Sequence, residues 1–195
     1  MSSKPSAILP HAEERIECRR IDPPHPSVIA VDALLQQCDL RTQRRSGPGG
    51  QHRNKTSSGA FLAHRPTGVV GEATERRSQA QNRDVAVQRL RLMLAIQVRT
   101  ESPLDPKIEH VCDVEHHLRQ RYRGHSMKLS DSNVDKPAVL AMVLNDLHVA
   151  GGQPSLVSDL WSVSTSKLML LIRSHPPALG RVNQIRDHHN RLPLH

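Results

Sequence analysis

Apolar residues recur at two different spacings along this 195-residue chain, and the change from one to the other divides it. Residues 1–25 follow neither. Pro5, Pro10, Pro23 and Pro24 interrupt scattered charges there, and the segment is expected to be a mobile arm. Residues 26–100 begin with short β-like runs. Asp32 is expected to cap a short helix over Ala33 to Gln37, with a strand following over Cys38 to Thr42. Gly59 to His64 and Val69 to Thr74 are two further runs, and the Pro and Gly of Arg65-Pro66-Thr67-Gly68 between them suit a tight hairpin turn. The spacing then becomes helical. Ser78 and Gln81 form an S-x-x-Q cap, after which Ala86, Val87, Leu90, Met93, Leu94 and Val98 fall at helical intervals. A helix of about five turns is therefore predicted to lie across a small antiparallel sheet, with Arg83, Arg89 and Arg91 on its opposite face.

The rest of the chain is helical in pattern. A basic, partly helical connector over 101–134, containing Arg119, Arg121 and Arg123, leads to Asp135, a candidate cap with Pro137 in the first turn. Leu140, Val143, Leu144 and Leu147 follow at i, i+3, i+4 and i+7, the stripe of an amphipathic helix. Gly151-Gly152 turns the chain. Ser155 to Trp161 and Thr165 to Arg173 then make two short helices across the turn Ser162 to Ser164, an arrangement that resembles a helix-turn-helix. A last helix over Ala178 to His188 adds Leu179, Val182 and Ile185 to a small bundle spanning 135–195. The predicted fold is α+β, a small antiparallel sheet with one long packed helix followed by a small all-α bundle with a helix-turn-helix-like unit.

Composition narrows the partners. Phe61, Tyr122 and Trp161 are the only aromatic residues, so the cores must be aliphatic. The net charge of +8 points to a polyanion, and residues 41–99 alone hold 12 Lys and Arg against 3 Asp and Glu, so the basicity is local. No run approaches the roughly 20 apolar residues of a membrane span, and Glu13, Glu14 and Glu17 argue against a transit peptide. A cytoplasmic, monomeric protein with no membrane partner is expected. Cys18, Cys38 and Cys112 lie too far apart for a zinc or disulfide pattern. His110, Cys112, Glu115, His116 and His117 lack a second ligand cluster, so a solvated, His-rich helix face is the stronger reading; neither metal nor cofactor is expected.

The chemistry concentrates in residues 44–56, RRSGPGGQHRNKT. Gly47, Gly49 and Gly50 bring the backbone close to a partner without side-chain obstruction. Arg44, Arg45, Arg53 and Lys55 surround them with no acid, and Arg76 and Arg77 stand just before the long helix, where they can reach phosphate together with Arg83. Gly49 to Thr56 is one residue from a phosphate-binding loop, with Asn54 where glycine is required, but no strand alternation supports a nucleotide-binding sheet. Asn54-Lys55-Thr56 is better assigned to a short helical start.

Ser46-Gly47-Pro48-Gly49-Gly50-Gln51-His52 is followed by Asn54-Lys55-Thr56-Ser57-Ser58, by His64-Arg65-Pro66-Thr67-Gly68-Val69, and by Glu75-Arg76-Arg77-Ser78-Gln79 with Asn82-Arg83. Over residues 38–99 this order resembles the GGQ domain of class I peptide chain release factors and the short ribosome-rescue hydrolases. Gly151-Gly152-Gln153 repeats the tripeptide without that context and is expected to be an interhelical turn. The resemblance implies that the chain hydrolyses the peptidyl-tRNA ester on the ribosome, with Gly49, Gly50 and Gln51 as the catalytic loop. It implies contact of Arg44, Arg45, His52, Arg53, Lys55, Arg76, Arg77 and Arg83 with ribosomal RNA, and modification of Gln51 by a methyltransferase. Its mechanism needs no Ser-His-Asp triad, and no nucleophile elbow is present.

Two departures qualify the resemblance. No tripeptide codon-reading motif stands in suitable context, and the C-terminal RLPLH lacks the dense basic tail of the rescue hydrolases. The helical bundle is the candidate replacement for that tail. A non-catalytic ribosome or RNA binder is the principal alternative, and a helix-turn-helix DNA-binding regulator the weaker one, since residues 165–173 offer only Lys167 and Arg173 as basic contacts.

Overall fold

A computed structural model of the protein describes residues 8–43 and 59–195. Among them are seven α-helices and five short strands. The order is β1 (Arg19–Arg20), α1 (Val31–Gln36), β2 (Cys38–Gln43), β3 (Gly59–His64), β4 (Val70–Ala73), α2 (Gln79–Gln97), β5 (Val98–Arg99), α3 (Asp113–Tyr122), α4 (Lys136–Val149), α5 (Pro154–Leu160), α6 (Thr165–Arg173) and α7 (Pro176–His188). The expected α+β architecture is present. Strands β2, β3 and β4 form an antiparallel sheet in sequence order, and β1 pairs with β5 in a separate two-residue parallel ladder. The loop Arg44 to Ser58 lies outside the described residues, and with it the expected helical start at Asn54-Lys55-Thr56.

Alternation along β3 and β4 turns Ala60, Leu62 and Ala73 onto one face, where they meet Ala86, Val87, Leu90 and Leu94 of α2. Leu34 of α1 closes this core. Helix and sheet approach most closely at Gly71, where a Cβ would stand 2.4 Å from the Ala86 carbonyl oxygen and 2.5 Å from the Leu90 nitrogen. Only a residue without a side chain allows that separation. The hairpin turn closes as the sequence requires, with Gly68 at φ 66° and its N–H donating to the His64 carbonyl. The buried His64 ring joins Thr67 Oγ1 at 2.7 Å to Gln37 Oε1 at 3.0 Å. Arg65 donates to the carbonyls of Gln36 and Cys38. The far end of the sheet is thereby tied to the α1–β2 junction.

The other side of α2 enters a second core. Ala95 and Ile96 pack there with Leu118, Met127, Trp161 and the side chains of α4 to α7. Arg91, expected among the solvent-facing arginines, points this way. It is 6% exposed and donates to the carbonyls of Ser27 and Val134, holding the N-terminal segment and the approach to α4 together. Helix α4, expected to bury a stripe, buries all of its residues and forms the axis of the bundle. Asp146 and Asn145 find their partners inside the protein, whereas the buried His148 Nδ1 has none among the described residues. Asp146 accepts from Ser102 Oγ at 2.7 Å, Trp161 Nε1 at 2.7 Å and Arg119 Nη2 at 3.0 Å, so Arg119 of the expected basic connector is a buried ion-pair partner. Asn145 donates to Thr100 Oγ1, which itself donates to the buried Glu115 carboxylate.

Two caps differ from expectation. Helix α1 starts one residue after Ala30, leaving Asp32 inside its first turn. Asp135 occupies the N-cap of α4 without a capping hydrogen bond, because Arg121 and Tyr122 each donate to its carboxylate. The segment expected to be an arm packs against the protein from Ile8 onward. Arg15 forms a 2.5 Å ion pair with Asp105, β1 pairs with β5, and His25 is fully buried. Its apolar contacts are sparse, so its docking rests on polar and backbone bonds that hydropathy patterns do not register. No helix among the described residues is long and apolar enough to cross a membrane.

Two outcomes follow. Gly71→Ala forces α2 off the sheet and should cost about 2 kcal/mol, lowering the thermal midpoint by several degrees; an unchanged midpoint would show that the helix shifts freely. The second concerns acid. Burial holds the His25 and His148 imidazoles down at about 3 in each case, with the Arg99 guanidinium adding to it. The unfolded chain binds these protons near pH 6.5 and the folded one does not, so their stabilisation is complete above about pH 6.5 and is lost as pH falls toward 3. Burial raises the Glu115 carboxyl, which offsets part of that loss at the acid end. Thermal melts from pH 7 to pH 4.5 should show a fall that is smaller in His148→Gln; equal slopes would remove this explanation.

Candidate functional site

The sheet fixes where the Gly-rich loop leaves the fold. Gln43 and Gly59 are the last paired residues of β2 and β3, so the chain departs and returns at one end of a single ladder. Beside that root runs the segment from β4 into α2. A Cβ on Gly59 would touch Thr74 Cγ2 at 3.0 Å, which puts the returning strand against the start of Thr74-Glu75-Arg76-Arg77-Ser78.

This segment is held from three directions. Buried Asn82 brackets the Arg76 backbone, its Oδ1 accepting from the N–H and its Nδ2 donating to the carbonyl, both at 2.9 Å. The Glu75 carboxylate accepts from the Thr74 N–H at 2.9 Å and from Arg89 Nη2 at 2.5 Å, and these contacts hold its carboxyl below the ordinary range. Ser78 Oγ accepts from the Gln81 N–H, making the cap expected from the sequence. The side chains of Arg76, Arg77 and Arg83 are left exposed, with no carboxylate partner among the described residues. The first turn of α2 carries no acid, so the positive end of its dipole adds to these cations. Arg41 is exposed near the end of β2, in register with Phe61 and Glu72.

Of the residues singled out by sequence, Arg76 and Arg77 stand in the segment that runs beside the loop root, and Arg83 follows Asn82 in the helix that segment enters. Arg44, Arg45, Gly49, Gly50, Gln51, His52, Arg53 and Lys55 lie outside the described residues. The structure adds Asn82 as the residue that sets the backbone beneath the arginines. The family pattern contained it, but only the fold reveals what its amide does. Helix α3 uses Glu115 internally, accepting from the His25 N–H and Thr100 Oγ1.

The second Gly-Gly-Gln is of a different kind. Gly151 and Gly152 adopt φ of 58° and 70° between α4 and α5, and a Cβ on Gly152 would lie 2.5 Å from Arg186 Cγ. Gln153 Nε2 donates to the carbonyls of Ala150 and Ile8. Its carboxamide is committed to the turn, as the absence of flanking motifs suggested.

The described part of the candidate site is thus a three-stranded sheet under one long helix, with exposed arginines beside the strand ends that the Gly-rich connection joins. Residues 28–130 match the RF-1 domain, and the chain belongs to that family. It is 49% identical over 67 residues to peptide chain release factor 2 of Acidovorax sp. (strain JS42), covering 33% of this chain and 18% of the relative. With peptide chain release factor 2 of Variovorax paradoxus it shares 37% identity over 108 residues, 54% of this chain and 24% of the relative. Peptide chain release factor 1 of Mycoplasma pneumoniae is 45% identical over 71 residues, 35% of this chain and 20% of that one. The matched regions thus span about a fifth of the length of these relatives.

Replacing Asn82 should loosen the loop root without unfolding the protein. In Asn82→Ala, the Arg76 amide should exchange with solvent about tenfold faster, from the loss of roughly 1–1.5 kcal/mol of hydrogen bonding, while Leu90 stays protected. Unchanged exchange at Arg76 would show that another group holds the segment.

Proposed function

We propose that this protein promotes ribosome-dependent hydrolysis of the peptidyl-tRNA ester, releasing the nascent peptide in translation termination or in rescue of stalled ribosomes. The observation that carries this is the position of Ser46-Gly47-Pro48-Gly49-Gly50-Gln51-His52 within an RF-1 domain, between two strand ends that stand beside Arg76 and Arg77. Ribosomal RNA and peptidyl-tRNA are its partners in this reading. Arg44, Arg45, His52, Arg53, Lys55, Arg76, Arg77 and Arg83 meet RNA phosphate, and Gly49, Gly50 and Gln51 enter the peptidyl transferase centre.

The ester is activated by the ribosome, so the protein supplies positioning and a donor. The Gln51 side chain orients water. Its backbone N–H stabilises charge developing on the ester oxygens and on the departing tRNA hydroxyl, as an oxyanion hole does, a contact worth about 3 kcal/mol. Gly49 and Gly50 bring that amide within reach by leaving no side chain in the way. Gln51 is also the residue a methyltransferase would modify, reducing the freedom of its side chain.

Because the backbone does the stabilising, the two kinds of substitution should separate. Single-turnover release of labelled peptide should slow by about a hundredfold or more in Gly49→Ala and by clearly less in Gln51→Ala, with ribosome binding retained in both. A Gly49→Ala chain that releases peptide at the unmodified rate defeats the catalytic reading. Binding without release in the unmodified chain would instead make it a ribosome-binding protein.

A further inference from the structure

The helical bundle carries charge that the catalytic reading does not use. Residues 116–130 and 160–186 contain no Asp or Glu, and both stretches hold Lys and Arg. The fold joins them. The Gly124 N–H donates to the Trp161 carbonyl at 2.9 Å, with Gly124 at φ 74°, and Arg123 Nε donates to Ser162 Oγ at 2.9 Å. The end of α3 is thus fixed against the turn between α5 and α6. Trp161, whose indole donates to buried Asp146, anchors that turn in the core.

The resulting surface is cationic on balance and rich in hydroxyl groups, with the exposed Asp159, whose carbonyl accepts from the Ser162 N–H, as the acid at its edge. Arg123 and His125 are exposed on one side. Ser162, Ser164, Thr165 and Lys167 are exposed on the other. The one hydrogen bond of the Arg123 guanidinium is to a hydroxyl, so its charge has no carboxylate partner among the described residues. Hydroxyls and cations of this kind contact phosphates, which position a protein on nucleic acid without reading sequence. The exposed face of α6 continues with Leu170, 51% exposed, and Arg173. Near its N-terminus Lys167 is the only cation, and no Asn, Gln or Arg stands beside it to make the bidentate contacts that discriminate base edges in a major groove. That choice of side chains favours backbone contact over a DNA-reading helix-turn-helix.

We infer that the α3–α6 junction is a second docking surface for the sugar-phosphate backbone of RNA. It rests on the ribosomal reading for the class of partner. Its α6 side lies outside the residues that match the RF-1 domain, so the bundle would hold the protein on RNA through contacts separate from those at the loop root.

Fluorescence anisotropy of the full chain with a fluorescein-labelled RNA hairpin tests it, using a DNA hairpin of matching sequence as comparison and a salt series from about 50 to 200 mM. Arg123→Ala combined with Lys167→Ala should weaken RNA binding about tenfold at low salt and reduce the slope of log affinity against log salt by about 1.5, two phosphate contacts' worth. Arg123→Ala loses the bond to Ser162, but the Gly124–Trp161 backbone bond still holds the junction, so the thermal midpoint should fall by no more than a few degrees. Should peptide release fail while the double variant still shows the binding loss, the docking surface stands and the catalytic reading falls. Unchanged affinity and salt slope in the double variant, or tighter binding of the DNA hairpin than of the RNA, overturns the inference.

Discussion

Helix α2 lies against the sheet where Gly71 has no side chain, and this contact sets the height and direction of the helix over β3 and β4. The segment leading into that helix passes beside Gly59 at Thr74, where the Gly-rich loop returns to the fold. The C-terminal half of the helix is fixed in the helical bundle through Ala95 and Ile96. One helix therefore belongs to both cores. The loop root, the arginines at Arg76 and Arg77, and the bundle cannot move independently without breaking the packing along α2.

The bundle accepts this arrangement because α4 is buried along its whole length. On a wholly buried helix an unpaired polar group costs on the order of 1–3 kcal/mol, which favours pairing the strongest acceptors and donors it carries. Asp146 and Asn145 pair by reaching out to neighbouring segments: Asp146 to Ser102, Arg119 and Trp161, and Asn145 to Thr100. These bonds draw the connector after β5 and the turn after α5 onto the same axis. The N-terminal segment is recruited similarly, through Arg15 and Asp105, through His25 and Glu115, and through β1. Directional polar contacts inside the protein thus unite segments that share little apolar surface.

That division explains what could be seen in the residues beforehand. The hairpin over Gly59 to Ala73, the Ser78 cap, helix α6 and the interhelical turn at Gly151-Gly152 follow from alternation, turn chemistry and spacing, which are local properties. The burial of Arg91 and Arg119 is not legible in the pattern, because a charged residue on a helix is normally solvated; both are buried here by partners distant in sequence, Ser27 and Val134 for one and Asp146 for the other. The packing of residues 8–25 was missed for the same reason. Within the candidate site, the order of motifs around Gly49, Gly50 and Gln51 pointed to the chemistry. The role of Asn82, whose two bonds to Arg76 depend on the fold of the turn, was visible only in three dimensions.

On the proposed reading, the glycine-rich connection between β2 and β3, with Arg76 and Arg77 in the segment beside its root, delivers a backbone donor into a cavity walled by RNA. The most direct measurement is peptide release from purified ribosomes carrying labelled peptidyl-tRNA, with this chain as the only added factor, on messages presenting a stop codon, a sense codon or a truncated end. We expect release well above the rate of spontaneous hydrolysis on at least one of the three, rising with protein concentration. No release above that background on any message, from ribosomes that demonstrably bind the protein, would contradict a hydrolytic role.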